Sequence, residues 1–167
     1  MNRPMPPVCT AGERPMLEAM LDWYRAGVLS KVAGMSQADA TSTPLPSPTT
    51  AAGLVKHLAL VEDFWFTVGI GKAAIPEPWA GVDFTVDPDW EFRTATEAPL
   101  AESVALYVQA CERSRAVNAN HSLDDIGTDR RGDFTLRWVL VHMLEETARH
   151  LGHLDILREL ADGTTGE

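Results

Sequence analysis

The chain has 167 residues, 45% of them hydrophobic, enough for the core of one domain and too much for a disordered chain. Twenty-four acidic against fourteen basic residues give a formal charge of -10, which repels phosphate backbones and anionic lipid at long range and argues against nucleic-acid partners. No apolar run approaches the roughly 18–20 residues of a bilayer span, and "MNRPMPPVCTAGERPM" lacks the apolar centre of a secretory signal, so the expected location is the cytoplasm, with no membrane partner.

After a flexible arm over residues 1–12, the first periodic segment runs from about Glu13 to Ala33. Met16, Leu17, Met20, Leu21, Tyr24, Val28, Leu29 and Val32 recur at three- and four-residue intervals and give one apolar helix face. "TPLPSP" cannot continue a helix, because each proline lacks the amide proton and crowds the preceding turn. A second helix starts near Thr49 or Thr50, whose hydroxyl can cap free amides, and carries Leu54, His57, Leu58, Val61, Glu62, Trp65 and Val68 on one stripe. From Gly69 to Pro99 no period is sustained. This long stretch reads as a functional loop with a short helix around Trp90 to Thr94, and "WAGVDFTV" is the place where a local hairpin could form.

Pro99 suits the first turn of a third helix that ends near Asn120. The fourth begins around Thr135, takes Leu136, Val139, Leu140, Met143, Leu144, Leu151, Leu154, Ile156, Leu157 and Leu160 inward, and stops before Gly163. The expected fold is therefore all-α: an antiparallel four-helix bundle over 13–162, with a long irregular connection between helices two and three and a short tail over 163–167. Cys9 and Cys111 show no CxxC spacing. A disulfide framework is not expected, and Cys111 reads as a small core residue, so any thiol chemistry must import its thiol.

The chemistry concentrates in "RWVLVHMLEETARHLGHLDILRE". At about 100° and 1.5 Å per residue, His142, Glu146, His150 and His153 fall along one helix face, one turn from each other. The ends of that row are about 16 Å apart by the same rise, too far for one ion, whereas two members at i and i+4 can clamp one. A second helix must then supply a further ligand, and His57 is the inward-facing candidate. His121 lies in a polar turn and is expected to be exposed. Two imidazoles and a carboxylate leave coordination positions open, the form of a catalytic site. A single helical histidine is ordinarily a hydrogen-bonded core residue, and Glu145 with Arg149 is an ordinary i,i+4 pair. The metal reading therefore rests on the joint pattern, which is not HExxH and gives no support to zinc-protease chemistry.

"TLRWVLVHMLEETARHLGHLDILRE" together with "GLVKHLALVEDFWF" resembles the DinB-like superfamily, in particular the branch allied to mycothiol-dependent metalloenzymes of the maleylpyruvate isomerase type. The resemblance implies a four-helix bundle holding one divalent metal between helices two and four, with His57, Glu146 and His150 at the positions of a two-histidine, one-glutamate ligand set. It implies a thiol, mycothiol or another of low molecular weight, that attacks a small electrophile in thiol transfer or isomerisation. His142 and His153 would then orient ligands or shuttle a proton, and Arg149 and Trp90 would touch the substrate or thiol conjugate. Zinc fits the nitrogen-rich set best, with nickel, iron and manganese sharing the ligand types. A homodimer is expected by the same analogy. Two other classes stay open on the residues alone: a hydrolase that activates water at the same ion, and a non-catalytic module in which the ion only stabilises the fold. Trp65 and Trp138 are expected in the core, and Glu62 suits a helix surface at least as well as a place beside the ligands.

Overall fold

The computed structural model describes Pro7, Thr10 and residues 12–165. The arm predicted over 1–12, with Cys9, lies almost wholly outside the described residues, as do Gly166 and Glu167 of the predicted tail. The elements are α1 (Glu13–Val32), α2 (Gln37–Ala40), α3 (Ala51–Glu62), a π-helical segment (Asp63–Ile70), a 3-10 turn (Trp79–Gly81), α4 (Trp90–Thr96), α5 (Leu100–Ala119), a hairpin of β1 (Ile126–Asp129) and β2 (Gly132–Thr135), and α6 (Leu136–Asp162). The all-α expectation fits broadly, with one small sheet added. No helix among the described residues is long and apolar enough to cross a membrane.

Local chemistry sets the boundaries. The Thr50 hydroxyl accepts from the Gly53 amide at 2.9 Å and caps α3, and Thr135 caps α6 through the Trp138 amide. Gly163, at φ 73, takes the left-handed conformation that ends α6. α3 is buried on nearly every side, α5 and α4 pack on it, and α1 lies against α6. Two large apolar clusters fill most of the interior, beside a small group of Ala40, Ala52 and Ala95. One gathers Leu21, Trp65, Phe66, Leu140 and Met143, the other Val28, Leu54, Leu58, Tyr107, Leu151 and Leu154. Along α6 they divide between Met143 and Leu151, the segment that carries Glu146 and His150.

Several expectations are corrected here. The second helix does not continue as α past Glu62: the Gly71 amide bonds to the Phe66 carbonyl five residues back at 2.8 Å, and the wider turn changes which side chains face inward. Asp63, Phe66 and Thr67 are buried alongside Trp65, while Val68 is only half-buried. The hairpin forms at 126–135 and not in "WAGVDFTV", where a 3-10 turn and further turns occupy 79–89. Ile126 pairs with Thr135 and Asp129 with Gly132, around a turn of Arg130 and Arg131. What holds this polar ribbon is contact with the π segment: Phe134 meets the Trp65 ring edge-on at 5.1 Å, and a Cβ on Gly127 would sit 2.6 Å from the Gly69 carbonyl oxygen. Trp138 is 45% exposed and is no core residue. Ile156 and Leu160 are also exposed: at about 100° per residue Ile156 falls on the far side of α6 from Leu154, and Leu160 lies in the last turn of the helix.

Glu62 is fully buried and not at the surface. Its carboxylate accepts from Arg25 Nε at 2.7 Å and Nη2 at 2.6 Å, so a charge on α1's apolar face is neutralised across the core. Cys111 is buried beside it, as expected, with Sγ 3.8 Å from Glu62 Oε1.

Candidate metal centre

His57 on α3 and Glu146 and His150 on α6 come together. His57 Nε2 lies 3.3 Å and His150 Nε2 3.1 Å from the same oxygen, Glu146 Oε1. One ligand atom from each of the three lies within 4.8 Å of the others. The spacing of four residues on α6 stacks Glu146 and His150 one turn apart, and the packing of α3 on α6 brings His57 across to them.

The donor set fits a divalent ion. Two atoms bound at about 2.1 Å to one cation stand roughly 3.0 to 3.4 Å apart for octahedral to tetrahedral angles, which is the range of both measured separations. Three side chains leave at least one position of a four-coordinate ion open. The neighbours aim the ligands. His57 Nδ1 lies 2.9 Å from Glu91 Oε1 on α4, so that carboxylate accepts the Nδ1 proton and turns Nε2 toward Glu146. His57 also stacks on Phe92 of α4 at 5.4 Å, and His150 Nδ1 lies 3.3 Å from His153 Nδ1.

Electrostatics follow from those contacts. Burial opposes the charged form of His57, but the hydrogen bonds of Glu146 and Glu91 outweigh it and push the imidazole up to about 9. Hydrogen bonds from His150 and His57 hold the Glu146 carboxyl well below the usual carboxylate range. Burial, with the charges of His150 and Arg149, moves His153 down. A cation arriving at His57 Nε2 must therefore displace a proton.

The other predicted residues occupy distinct places. His142, one turn before Glu146, stacks on Trp138 at 4.9 Å, meets Trp65 edge-on at 5.0 Å and lines a cleft of about 720 Å³. Arg149 is exposed and pairs with Glu145 at 3.4 Å. Trp90 is half-buried, with Lys56 Nζ 4.4 Å from its ring centre and Trp79 edge-on at 6.0 Å. His121 is half-buried and not exposed: its Nδ1 donates to the Val117 carbonyl at 2.8 Å, closing the end of α5.

Two buried carboxylates escaped the sequence reading. Glu91, 4% exposed, sits in the segment read as a loop with a short helix, where periodicity carries little information. Asp63 accepts from Arg113 Nε and Nη2, each at 2.8 Å, and from Trp79 Nε1 at 3.0 Å, tying the irregular connection to α5. The available signal was Glu91 and Trp90 opening a short helix next to Phe92. Nothing local pointed from it to His57.

A mostly helical domain with two imidazoles and a carboxylate converging between two of its long helices is a candidate metalloprotein of the helical class. The sequence model of the mycothiol-S-transferase family matches residues 16–163, and the chain belongs to that family, in agreement with the mycothiol-related branch that the motifs resemble. No curated protein matches the chain.

Proposed function

We propose that this protein is a divalent-metal-dependent enzyme that transfers mycothiol, or a similar low-molecular-weight thiol, to a small electrophile, with His57, Glu146 and His150 holding the ion. The four long helices are read as the antiparallel DinB-like bundle that frames this site. The observation that carries the reading is the approach of two imidazole nitrogens to one carboxylate oxygen at 3.3 and 3.1 Å. The family's name supports thiol transfer over isomerisation.

An ion at this place would supply a positive charge that makes a thiol or water reaching it more acidic. The chain's own residues do the rest. Glu91 fixes the ring of His57, and His153 does the same for His150. His142, which lines the cleft one turn from Glu146, would take up the thiol proton. A carbon–sulfur bond forms at the electrophilic carbon, and either a leaving group departs with its electron pair or an activated double bond receives a proton. Zinc suits the nitrogen-rich set, and nickel, iron and manganese share its ligand types.

The test is elemental analysis of the purified full chain beside Glu146→Ala and His150→Ala, followed by consumption of mycothiol with 1-chloro-2,4-dinitrobenzene. About one divalent ion per chain, lost in both variants together with thiol consumption, is the expected result. Equal metal content in all three proteins overturns the site, and turnover without added thiol overturns the reaction class.

A further inference from the structure

The 720 Å³ cleft begins one helical turn from the candidate ligands: Val61 follows His57 by four residues, and His142 precedes Glu146 by four, an offset of about 6 Å along each helix. None of the three ligand candidates lines it. Its walls are largely apolar and aromatic, with Phe64, Trp65, Trp79 and Phe84. Its polar groups are His142 on the side toward the metal centre and Asp129, Arg130 and Arg131 from the hairpin.

The hairpin groups are not equivalent. Arg131 is committed: Nε and Nη2 reach the same Asp129 oxygen at 2.9 and 2.7 Å, and its guanidinium covers the Trp65 ring at 4.8 Å. It neutralises Asp129 and caps the aromatic wall. Arg130, exposed at the turn itself, makes no hydrogen bond or close ion pair among the described residues, so of the two hairpin arginines that line the cleft it is the one whose guanidinium is left to receive an anion. A smaller depression beside His153 is lined by Leu45, Ile156 and Leu157 together with Ser47 and Thr49, whose hydroxyls bond to each other at 3.0 Å.

We infer that this cleft selects the electrophilic co-substrate, a flat apolar or aromatic molecule carrying a carboxylate, with the ring among Phe64, Trp65, Trp79 and Phe84 and the carboxylate received by Arg130. The molecule spans from the hairpin to His142, which directs its uncharged, reactive end toward His57 and Glu146. The term electrophile rests on the thiol-transfer reading. The binding preference does not.

The test is a titration of the chelator-treated full chain with trans-cinnamate and with its neutral amide, trans-cinnamamide, read by tryptophan fluorescence. Trp65 and Trp79 line the cleft and report directly. The acid is expected to bind about five- to ten-fold more tightly than the amide, as a charge-assisted hydrogen bond at a partly apolar rim provides. Arg130→Gln brings the two affinities together, and Phe84→Ala weakens both ligands alike. Equal binding of acid and amide to the native chain, a preference that survives Arg130→Gln, or saturable binding of neither ligand overturns the inference. Because no metal or thiol is present, these outcomes stand apart from the metal analysis that decides the thiol-transfer reading.

Discussion

Glu91 Oε1 lies 2.9 Å from Nδ1 of His57, and through that contact the seven-residue helix α4 reaches a candidate metal ligand on α3. The carboxylate orients the imidazole and raises the basicity of the nitrogen that faces Glu146. Glu91→Ala is expected to lower zinc affinity by about 10- to 100-fold, with the helical content unchanged. Glu91→Gln, whose amide oxygen can still accept the Nδ1 proton, loses less. A competitive chelator titration measures both. Equal affinity in Glu91→Ala and the native chain rules out the positioning role.

The same helix can be displaced from a distance. A Cβ added at Gly53 would lie 2.6 Å from Phe92 Cδ1 and 3.3 Å from Phe92 Cα, so α4 packs against α3 at a closeness only glycine allows. Gly53→Ala pushes Phe92 outward and takes Glu91 with it, although no metal-binding atom is altered. The expected cost is about 1–3 kcal/mol of stability from overpacking, accompanied by weaker zinc binding. Urea denaturation and the chelator titration should move together. A loss of stability with unchanged zinc affinity would show that α4 does not govern His57.

Protonation of His57 gives the metal-free protein a specific pH dependence. The imidazole is raised from 6.5 to about 9, so the stability it contributes is fully present below pH 6.5 and is lost as the pH rises through about 9. Glu146 is shifted the other way. Its contribution is present above the ordinary carboxylate range and is lost as the pH falls into strong acid. The urea midpoint of chelator-treated protein is expected to decline between pH 7 and about 9, whereas the zinc-loaded protein, with a cation in place of the Nε2 proton, shows a flatter profile. Parallel profiles with and without zinc contradict this.

The stripe on α6 was legible because a long helix converts spacing into direction: Glu146 and His150 at four residues must share a face, and Leu136, Leu140 and Met143 define the buried side. The pairing with His57 required a second helix. Spacing made His57 a candidate, and the resemblance supplied the choice. The connection from Gly69 to Pro99 resisted reading for a different reason. Its order comes from contacts distant in sequence, Asp63 with Trp79 and Arg113, and Glu91 with His57, which no local period records. Glu62 was misplaced because its partner, Arg25, lies 37 residues away on a face that otherwise reads as apolar.

That pair sets a further expectation. Removing Glu62 leaves the buried Arg25 guanidinium without its two bonds at 2.7 and 2.6 Å, and with Asp22, 2.9 Å from Nη1, as its remaining ion-pair partner. Glu62→Ala is expected to cost about 3–5 kcal/mol. Arg25→Met with Glu62→Leu, which removes both charges and fills the space, should cost far less than the single change. Denaturant unfolding of the native chain, the two single variants and the double variant forms a complete cycle. A double variant no more stable than Glu62→Ala would mean that packing, and not the loss of Glu62's countercharge, dominates.

Cys111 shares this buried network, and its environment fixes its reactivity. Burial pushes its thiol well above the ordinary cysteine range, and the Glu62 carboxylate 3.8 Å from Sγ adds to the effect, with Arg25 offsetting it in part. Raised this far, the group stays protonated at neutral pH, and the thiol form is a poor nucleophile. In a Cys9→Ser chain, so that one thiol is counted, the folded protein should react with iodoacetamide at least about a hundred-fold more slowly than the denatured chain. Cys111→Ala should retain thiol transfer, since the reacting sulfur comes from the added thiol. Rapid alkylation of the folded Cys9→Ser chain, or loss of turnover in a well-folded Cys111→Ala, would transfer the nucleophile's role to the protein's own cysteine and displace the imported thiol.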